Sequence, residues 1–272
     1  MLQRTLSTLA LWLLVLGCMR YFGAVGGVWM LAAITVLAQH EFYLMLRRMG
    51  LRPFNRLGLV FGAAIMLAPL YGGAYLSATE LLTLSVIVFS LRILGERGPT
   101  DRVETLVWTV FGLVYVPFML HFLARIILLA SPRPQTGLLL GFWLLIVTKL
   151  CDTGALLTGL AIGRHRMAPE ISPKKTWEGV AGGLVIAVGC GALVAWLGRD
   201  FLPAGFTPWF AAVLALPLAG LAVVSDLVES IIKRRADTKD TGRTIPGIGG
   251  VLDLLDSLVL TAPLAWAVFH LL

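Results

Sequence analysis

Charge is scarce in this chain: Lys, Arg, Asp and Glu make up 14% of its 272 residues, against 58% hydrophobic ones. Too little polar material remains to coat a soluble domain of this size. Cysteine is rarer still. Cys18, Cys151 and Cys190 lie in or beside apolar runs, in no CxxC or metal-ligand spacing. That argues against a disulfide scaffold and leaves no thiolate set for a soft metal. A Walker A loop and a GxGxxG fingerprint are both missing, so neither a P-loop nor a dinucleotide fold is indicated. The N-terminal apolar run lacks a small-residue cleavage site followed by a polar stretch, and it reads as a first span rather than a removed signal.

What the chain does have is apolar runs of bilayer length. They predict an all-α, polytopic transmembrane helical bundle. Nine spans are expected, at 6–22, 24–46, 57–76, 78–94, 103–123, 137–163, 178–197, 207–224 and 251–272. Threaded with the N-terminus in the cytoplasm, they put 17 of the 22 basic residues inside, Arg4, Arg97 and Arg243 among them, and only Arg20, Arg125, Arg133 and Arg199 outside. Lys149 falls within a span. The asymmetry supports that orientation, with an odd number of spans and an external C-terminus. Much of the net charge of +7 is therefore topological, and the excess suits anionic lipid head groups or a nucleotide better than nucleic acid.

Two regions follow. Residues 1–135 carry few polar groups and read as a transmembrane scaffold, with Pro69 and Pro117 marking kinks or close packing. His40 and Glu41 sit near the inner end of the second span, where they form a locally paired polar rim or a Glu–His ligand pair. His121 and His270 read as helix-end or packed histidines. Residues 136–272 read as the catalytic transmembrane region, with cytoplasmic loops at 164–177 and 225–250.

Lys149 and Asp152 stand three apart in KLCDTGALLTG, on neighbouring faces of one helical turn. Charges inside a span either neutralise one another or line a polar cavity. In the loop GRHRMAPEISPKKTWEG, the hydroxyls of Ser172 and Thr176 flank the cations of Lys174 and Lys175, a set able to hold phosphates. Topology alone explains the lysines but not the Ser/Pro/Thr/Trp setting.

The densest chemistry lies in SDLVESIIKRRADTKDTGRTIPGIGGVLDLLDS, from Ser225 to Ser257. Asp226 with Glu229, and Asp253 with Asp256, are i,i+3 pairs that can present both carboxylates to one side of a helix. Crowded carboxylates need a cation or arginines beside them, and magnesium suits an all-oxygen site that also meets phosphates. Between the pairs lie Lys233, Arg234, Lys239 and Asp240, then Pro246, Gly249 and Gly250, a turn with exposed backbone N–H groups ahead of the last helix.

These residues resemble the phosphatidate cytidylyltransferase, or CDP-diacylglycerol synthase, family. Its signature has the form S-x-x-K-R-x4-K-D-x-G-x-x-hydrophobic-P-x-H-G-G-x-x-D-R-x-D. Ser230, Lys233, Arg234, Lys239, Asp240, Gly242, Ile245, Pro246, Gly249, Gly250, Asp253 and Asp256 match it. The upstream CDTGALLTG and SPKKTWEG stretches are similar to the family's as well. Three positions depart: Ile248 replaces the usual histidine, Leu254 the usual arginine, and Ser225 a common glycine.

The resemblance implies an integral membrane enzyme that makes CDP-diacylglycerol and pyrophosphate from CTP and phosphatidate, with magnesium and often potassium. It further implies homodimers and, for bacterial members, an inner-membrane site facing the cytoplasm. Asp226, Asp253 and Asp256 would bind cation, Lys149 and Asp152 would line the same cavity, and Ser172, Lys174, Lys175 and Thr176 would hold substrate phosphates. Other readings stay open: CTP-dependent transfer or phosphorylation on another membrane lipid, transport, or a noncatalytic lipid-binding scaffold.

Overall fold

A computed structural model describes residues 2–73, 76–95, 102–242, 244, 245, 247 and 249–272. Arg97, Arg243, Pro246 and Ile248, and the side chain of Arg4, lie outside the described residues. The chain is helical: α1 (Leu2–Arg48), α2 (Asn55–Tyr71), α3 (Ala78–Leu94), α4 (Arg102–Leu113), a π-helical turn (Val114–Phe118), α5 (Met119–Ile127), α6 (Thr136–Ile162), α7 (Trp177–Leu197), α8 (Pro208–Arg235) and α9 (Leu252–Phe269). Two short strands, β1 (Arg166–Ala168) and β2 (Ser172–Thr176), form one antiparallel hairpin.

Six helical segments among the described residues are long and apolar enough to cross a membrane: Arg20–Arg48, Arg102–Ile127 and the whole of α6, α7, α8 and α9. Their outward faces carry large apolar side chains such as Leu160, Val185 and Trp209, each more than 70% exposed. Such surfaces need lipid to cover them. The chain is a polytopic integral membrane protein.

Local sequence explains the irregularities. Gly23 breaks the trace of α1 at φ 60° and ψ −152°, a conformation open to glycine and costly for other residues. Pro117 has no N–H to give, and the helix around it widens into the π turn. α8 runs to Arg235, eleven residues past the expected end of its span at 224, because SDLVESIIKRR contains no helix breaker. Only beyond it does the chain turn, with Asp237 at φ 50°.

The chain divides into two compact units. The first comprises residues 1–125 and 235–255. Its core gathers Ile65, Leu81, Phe89 and Leu113, and is fastened by the buried Tyr43, whose hydroxyl donates to the Thr109 carbonyl at 3.0 Å. Gln39 donates to the Gly58 carbonyl at 2.9 Å, tying α1 to α2.

The second unit comprises residues 126–234 and 256–272. Here α6 and α7 touch along glycines. A Cβ on Gly183 would lie 2.5 Å from the Cys151 carbonyl, and one on Gly179 would lie 2.6 Å from that of Ala155. Small residues let two backbones approach this closely in a membrane. Trp143 Nε1 donates to the Gly191 carbonyl at 2.8 Å, fixing the register of the pair. Lys149 and Asp152 sit on α6, which also packs against the hairpin strand that leads into α7.

Candidate active site

Within the second unit, Asp226 and Glu229 of α8 and Asp256 of α9 bring one carboxylate oxygen each within 4.8 Å of one another. Glu229 and Asp256 are buried and Asp226 is half-buried. The i,i+3 spacing on α8 puts its two carboxylates on one side, and α9 supplies the third. Ser225 stitches the two helices at this level: its hydroxyl donates to the Asp256 carbonyl, and it accepts from Leu260 N–H at 3.4 Å. Serine where glycine is common thus serves as a tie.

Each carboxylate meets a lysine from a different part of the unit. Lys175 on β2 reaches Asp226 at 2.6 Å, and Lys233 reaches Glu229 one turn away at 2.5 Å. Lys149 on α6 lies 3.4 Å from Asp256 and 3.7 Å from Asp152, and donates to Ser257 Oγ at 2.8 Å. Three like charges this close are not stable unaided, and the ammonium groups offset them. The three carboxylates Asp226, Glu229 and Asp256 form a hard oxygen set able to coordinate a divalent ion, while the lysines are placed to meet phosphate oxygens.

The hairpin is built to deliver Lys175. Thr176 caps α7 by accepting from Gly179 N–H at 3.1 Å, which engages its hydroxyl in the fold. Glu178 accepts from the backbone N–H groups of Arg164 and His165 at 3.1 and 3.2 Å, closing the hairpin's entry. Arg234 Nε donates to the Ile171 carbonyl at 3.2 Å and holds the hairpin's tip. Lys174 is exposed and Ser172 half-buried on the same strand.

The glycine-rich segment belongs to the first unit. Asp253, in the first turn of α9, accepts from Gly250 N–H at 2.7 Å and Thr241 N–H at 3.2 Å. An isolated bridge pairs Ile245 with Gly249, and Gly247 and Gly249 turn the chain at φ 80° and 131°. Lys239 and Asp240 are exposed at its start. Glu41 of α1 is 4% exposed, and its carboxylate accepts from Thr244 Oγ1 at 2.5 Å and Leu252 N–H at 3.0 Å. His40 turns elsewhere, to Asn55 at 3.3 Å. Adjacent helical residues point about 100° apart, so the two cannot form one ligand pair here.

Of the expected site residues, the second unit therefore brings together Asp226, Asp256, Lys149, Asp152, Lys175 and Lys233, and adds Glu229 and Ser257. Glu229 is legible in the sequence as the i,i+3 partner of Asp226, although it lies outside the aspartates of the signature. Glu41 stands out in the sequence only beside His40, and its actual partners are not legible there because they lie about two hundred residues away.

The sequence model of the cytidylyltransferase family matches residues 2–272. A phosphatidate cytidylyltransferase of Mycobacterium bovis is 38% identical over 178 residues, 65% of this chain and 55% of that protein. One of Mycobacterium leprae is 41% identical over 164 residues, 60% of this chain and 49% of that protein. One of Brucella suis is 35% identical over 230 residues, 76% of this chain and 82% of that protein. The chain spans about half the length of the mycobacterial relatives it matches.

Proposed function

Since this chain belongs to the phosphatidate cytidylyltransferase family, we propose that it transfers CMP from CTP to phosphatidate, releasing pyrophosphate and CDP-diacylglycerol. The observation that carries the reading is the trio Asp226, Glu229 and Asp256, each facing a lysine. It pairs a hard cation site with ammonium groups that polyphosphate can recruit.

The reaction needs no protein nucleophile. The phosphate monoester of the lipid is largely dianionic near neutral pH, its second pKa being about 6 by analogy with phosphorylated side chains. One of its oxygens attacks the α-phosphorus of CTP. A new P–O bond forms, the bond from the α-phosphorus to the bridging oxygen of the β-phosphate breaks, and the electron pair leaves with pyrophosphate. Asp226, Glu229 and Asp256 would hold magnesium, which when bound supplies charge neutralisation for the polyphosphate. Lys149 and Lys175, held beside Asp256 and Asp226, offset the charge that builds on the transferring α-phosphate. Asp152 orients Lys149. Ser172, Lys174 and Thr176 in the second unit, and Lys233 and Arg234 beside them, are assigned to substrate phosphates. In the first unit the same role falls to Lys239, Asp240 and the backbone of Gly249 and Gly250, which Asp253 organises.

The topology within this proposal has nine crossings, α1 counting as two spans that meet at Gly23, with the N-terminus and the chemistry on the cytoplasmic side of a bacterial inner membrane. Support comes from the break at Gly23 and the 17 to 4 distribution of basic residues. Homodimerisation, contact with anionic lipids and a potassium requirement rest on the family resemblance. The deciding test is purified protein in nanodiscs with a panel of lipid phosphates, lipid alcohols and nucleotides, scored for lipid product and pyrophosphate. CDP-diacylglycerol formed from CTP and phosphatidate alone supports the proposal; another acceptor, or solute flux without CTP turnover, replaces it.

A further inference from the structure

The strongest feature outside the acidic cluster is the environment of Glu41. It lies on α1, is 4% exposed, and its carboxylate accepts from Thr241 and Thr244, between α8 and α9, and from Leu252, the first residue of α9. Oε1 accepts from Thr244 Oγ1 at 2.5 Å, and Oε2 accepts from Leu252 N–H at 3.0 Å and Thr241 Oγ1 at 3.4 Å. Leu252 opens α9, so Glu41 satisfies one of the N–H groups that the start of any helix leaves unpaired, and does so with the charge that this end of a helix favours.

Two signature glycines are shaped around the same carboxylate. A Cβ on Gly242 would lie 2.8 Å from Glu41 Cδ, with Glu41 supplying all three of its nearest atoms. A Cβ on Gly250 would lie 2.5 Å from Glu41 Oε2. Neither residue is in the left-handed region, so backbone freedom does not explain glycine at these places. At Gly242 the need is space for Glu41, and at Gly250 it is space for Glu41 together with its partner Thr241. One side chain thus grips the segment at its start, through Thr241 and Thr244, and at its end, through Leu252.

We propose that Glu41 is a positioning residue: it holds Thr241, Thr244 and Leu252 in the arrangement that offers Asp240 and the backbone of Gly249 and Gly250 to phosphate. The inference rests on the function proposed above for its catalytic consequence, but the clamp itself does not. A buried carboxylate with three donors holds its partners firmly, because losing it strands each donor away from water. The segment is also tied internally by the Ile245–Gly249 bridge and by Asp253, which accepts from Thr241 and Gly250 N–H.

The test uses the full chain in nanodiscs, comparing wild type with Glu41→Gln, Glu41→Ala and Gly242→Ala. Hydrogen exchange over peptides from 235–255 is expected to rise about ten-fold in both Glu41 variants while peptides of α6 and α7 keep their protection. kcat/KM for CTP is expected to fall about ten- to a hundred-fold, with KM for phosphatidate unchanged, a split that general destabilisation would not produce. Gly242→Ala should loosen the segment in the wild-type background and be close to neutral beside Glu41→Ala, since its added methyl meets only Glu41 among near neighbours. If Glu41→Ala does not fold, the nearly isosteric Glu41→Gln carries the comparison. Unchanged exchange in the segment overturns the clamp. Faster exchange with kcat/KM for CTP intact overturns the positioning role. A wild-type protein that does not turn over CTP refutes the proposed function instead, and the clamp is then decided on exchange alone.

Discussion

Lys175 Nζ lies 2.6 Å from Asp226 Oδ2, joining the hairpin strand β2 to the middle of α8. Both side chains are about one quarter exposed, so water and substrate can reach the pair. A tether of this kind holds a cation in reserve beside the carboxylate that a metal ion would claim. Under the proposed function, neutralising that carboxylate would free the lysine toward phosphate.

Replacing either partner should therefore harm turnover more than folding. Lys175→Gln and Asp226→Asn are each expected to lower kcat about a hundred- to a thousand-fold, in the range seen when one electrostatic group of a preorganised site is removed. The pair is accessible, so melting midpoints should stay close to wild type. Parallel kinetics and thermal unfolding in detergent micelles check this.

The more deeply buried pair Glu229–Lys233 bears on folding as well as on turnover. Glu229 has 1% of its side chain exposed and Lys233 13%. Removing one member of a buried ion pair typically costs about 3–5 kcal/mol, since the other charge is left in a poor solvent. Lys233→Met is expected to lower the melting midpoint strongly, and Glu229→Gln added to it should restore much of the loss. A double-mutant cycle on thermal unfolding measures the coupling.

Cation binding can be read without turnover. Manganese is a hard, spectroscopically visible substitute for magnesium at an oxygen site. Wild-type protein is expected to bind it, and Asp256→Asn to weaken binding at least ten-fold, by electron paramagnetic resonance titration. Chelation should abolish turnover, and added magnesium should restore it.

The glycine seam between α6 and α7 predicts a remote effect. Gly183→Ala places a methyl 2.5 Å from the Cys151 carbonyl and 3.0 Å from the Ala155 side chain. Overpacking of this kind costs about 1–3 kcal/mol. It also pushes on the turn that carries Lys149 and Asp152. Turnover is expected to fall together with stability, whereas Gly189→Ala, whose Cβ meets nothing within 4 Å, should leave both unchanged.

Sequence alone went far here because membrane helices announce themselves by composition: long apolar runs located α6, α7 and α9 to within a few residues. Spacing also paired Asp226 with Glu229 and Lys149 with Asp152, since i,i+3 neighbours meet whatever the tertiary fold. It could not read the hairpin, whose two strands are too short and too polar to alternate, or the extension of α8, where an amphipathic turn leaves the apolar run. Least legible were contacts between distant segments. Lys149 and Asp256 are separated by 107 positions and Glu41 and Leu252 by 211, and no local pattern encodes such a meeting. The extra carboxylate Glu229 fell between these cases: its place was legible and its membership of the cluster was not.

Labelled CTP tests the central claim most directly. Wild-type protein supplied with phosphatidate and magnesium should place label from the α-phosphate of CTP in the lipid and label from the γ-phosphate in pyrophosphate, and Asp256→Asn should lose both at equal protein level. Lipid labelled from the γ-phosphate would mean phosphoryl transfer instead, and transfer undiminished in Asp256→Asn would remove the acidic cluster from the chemistry.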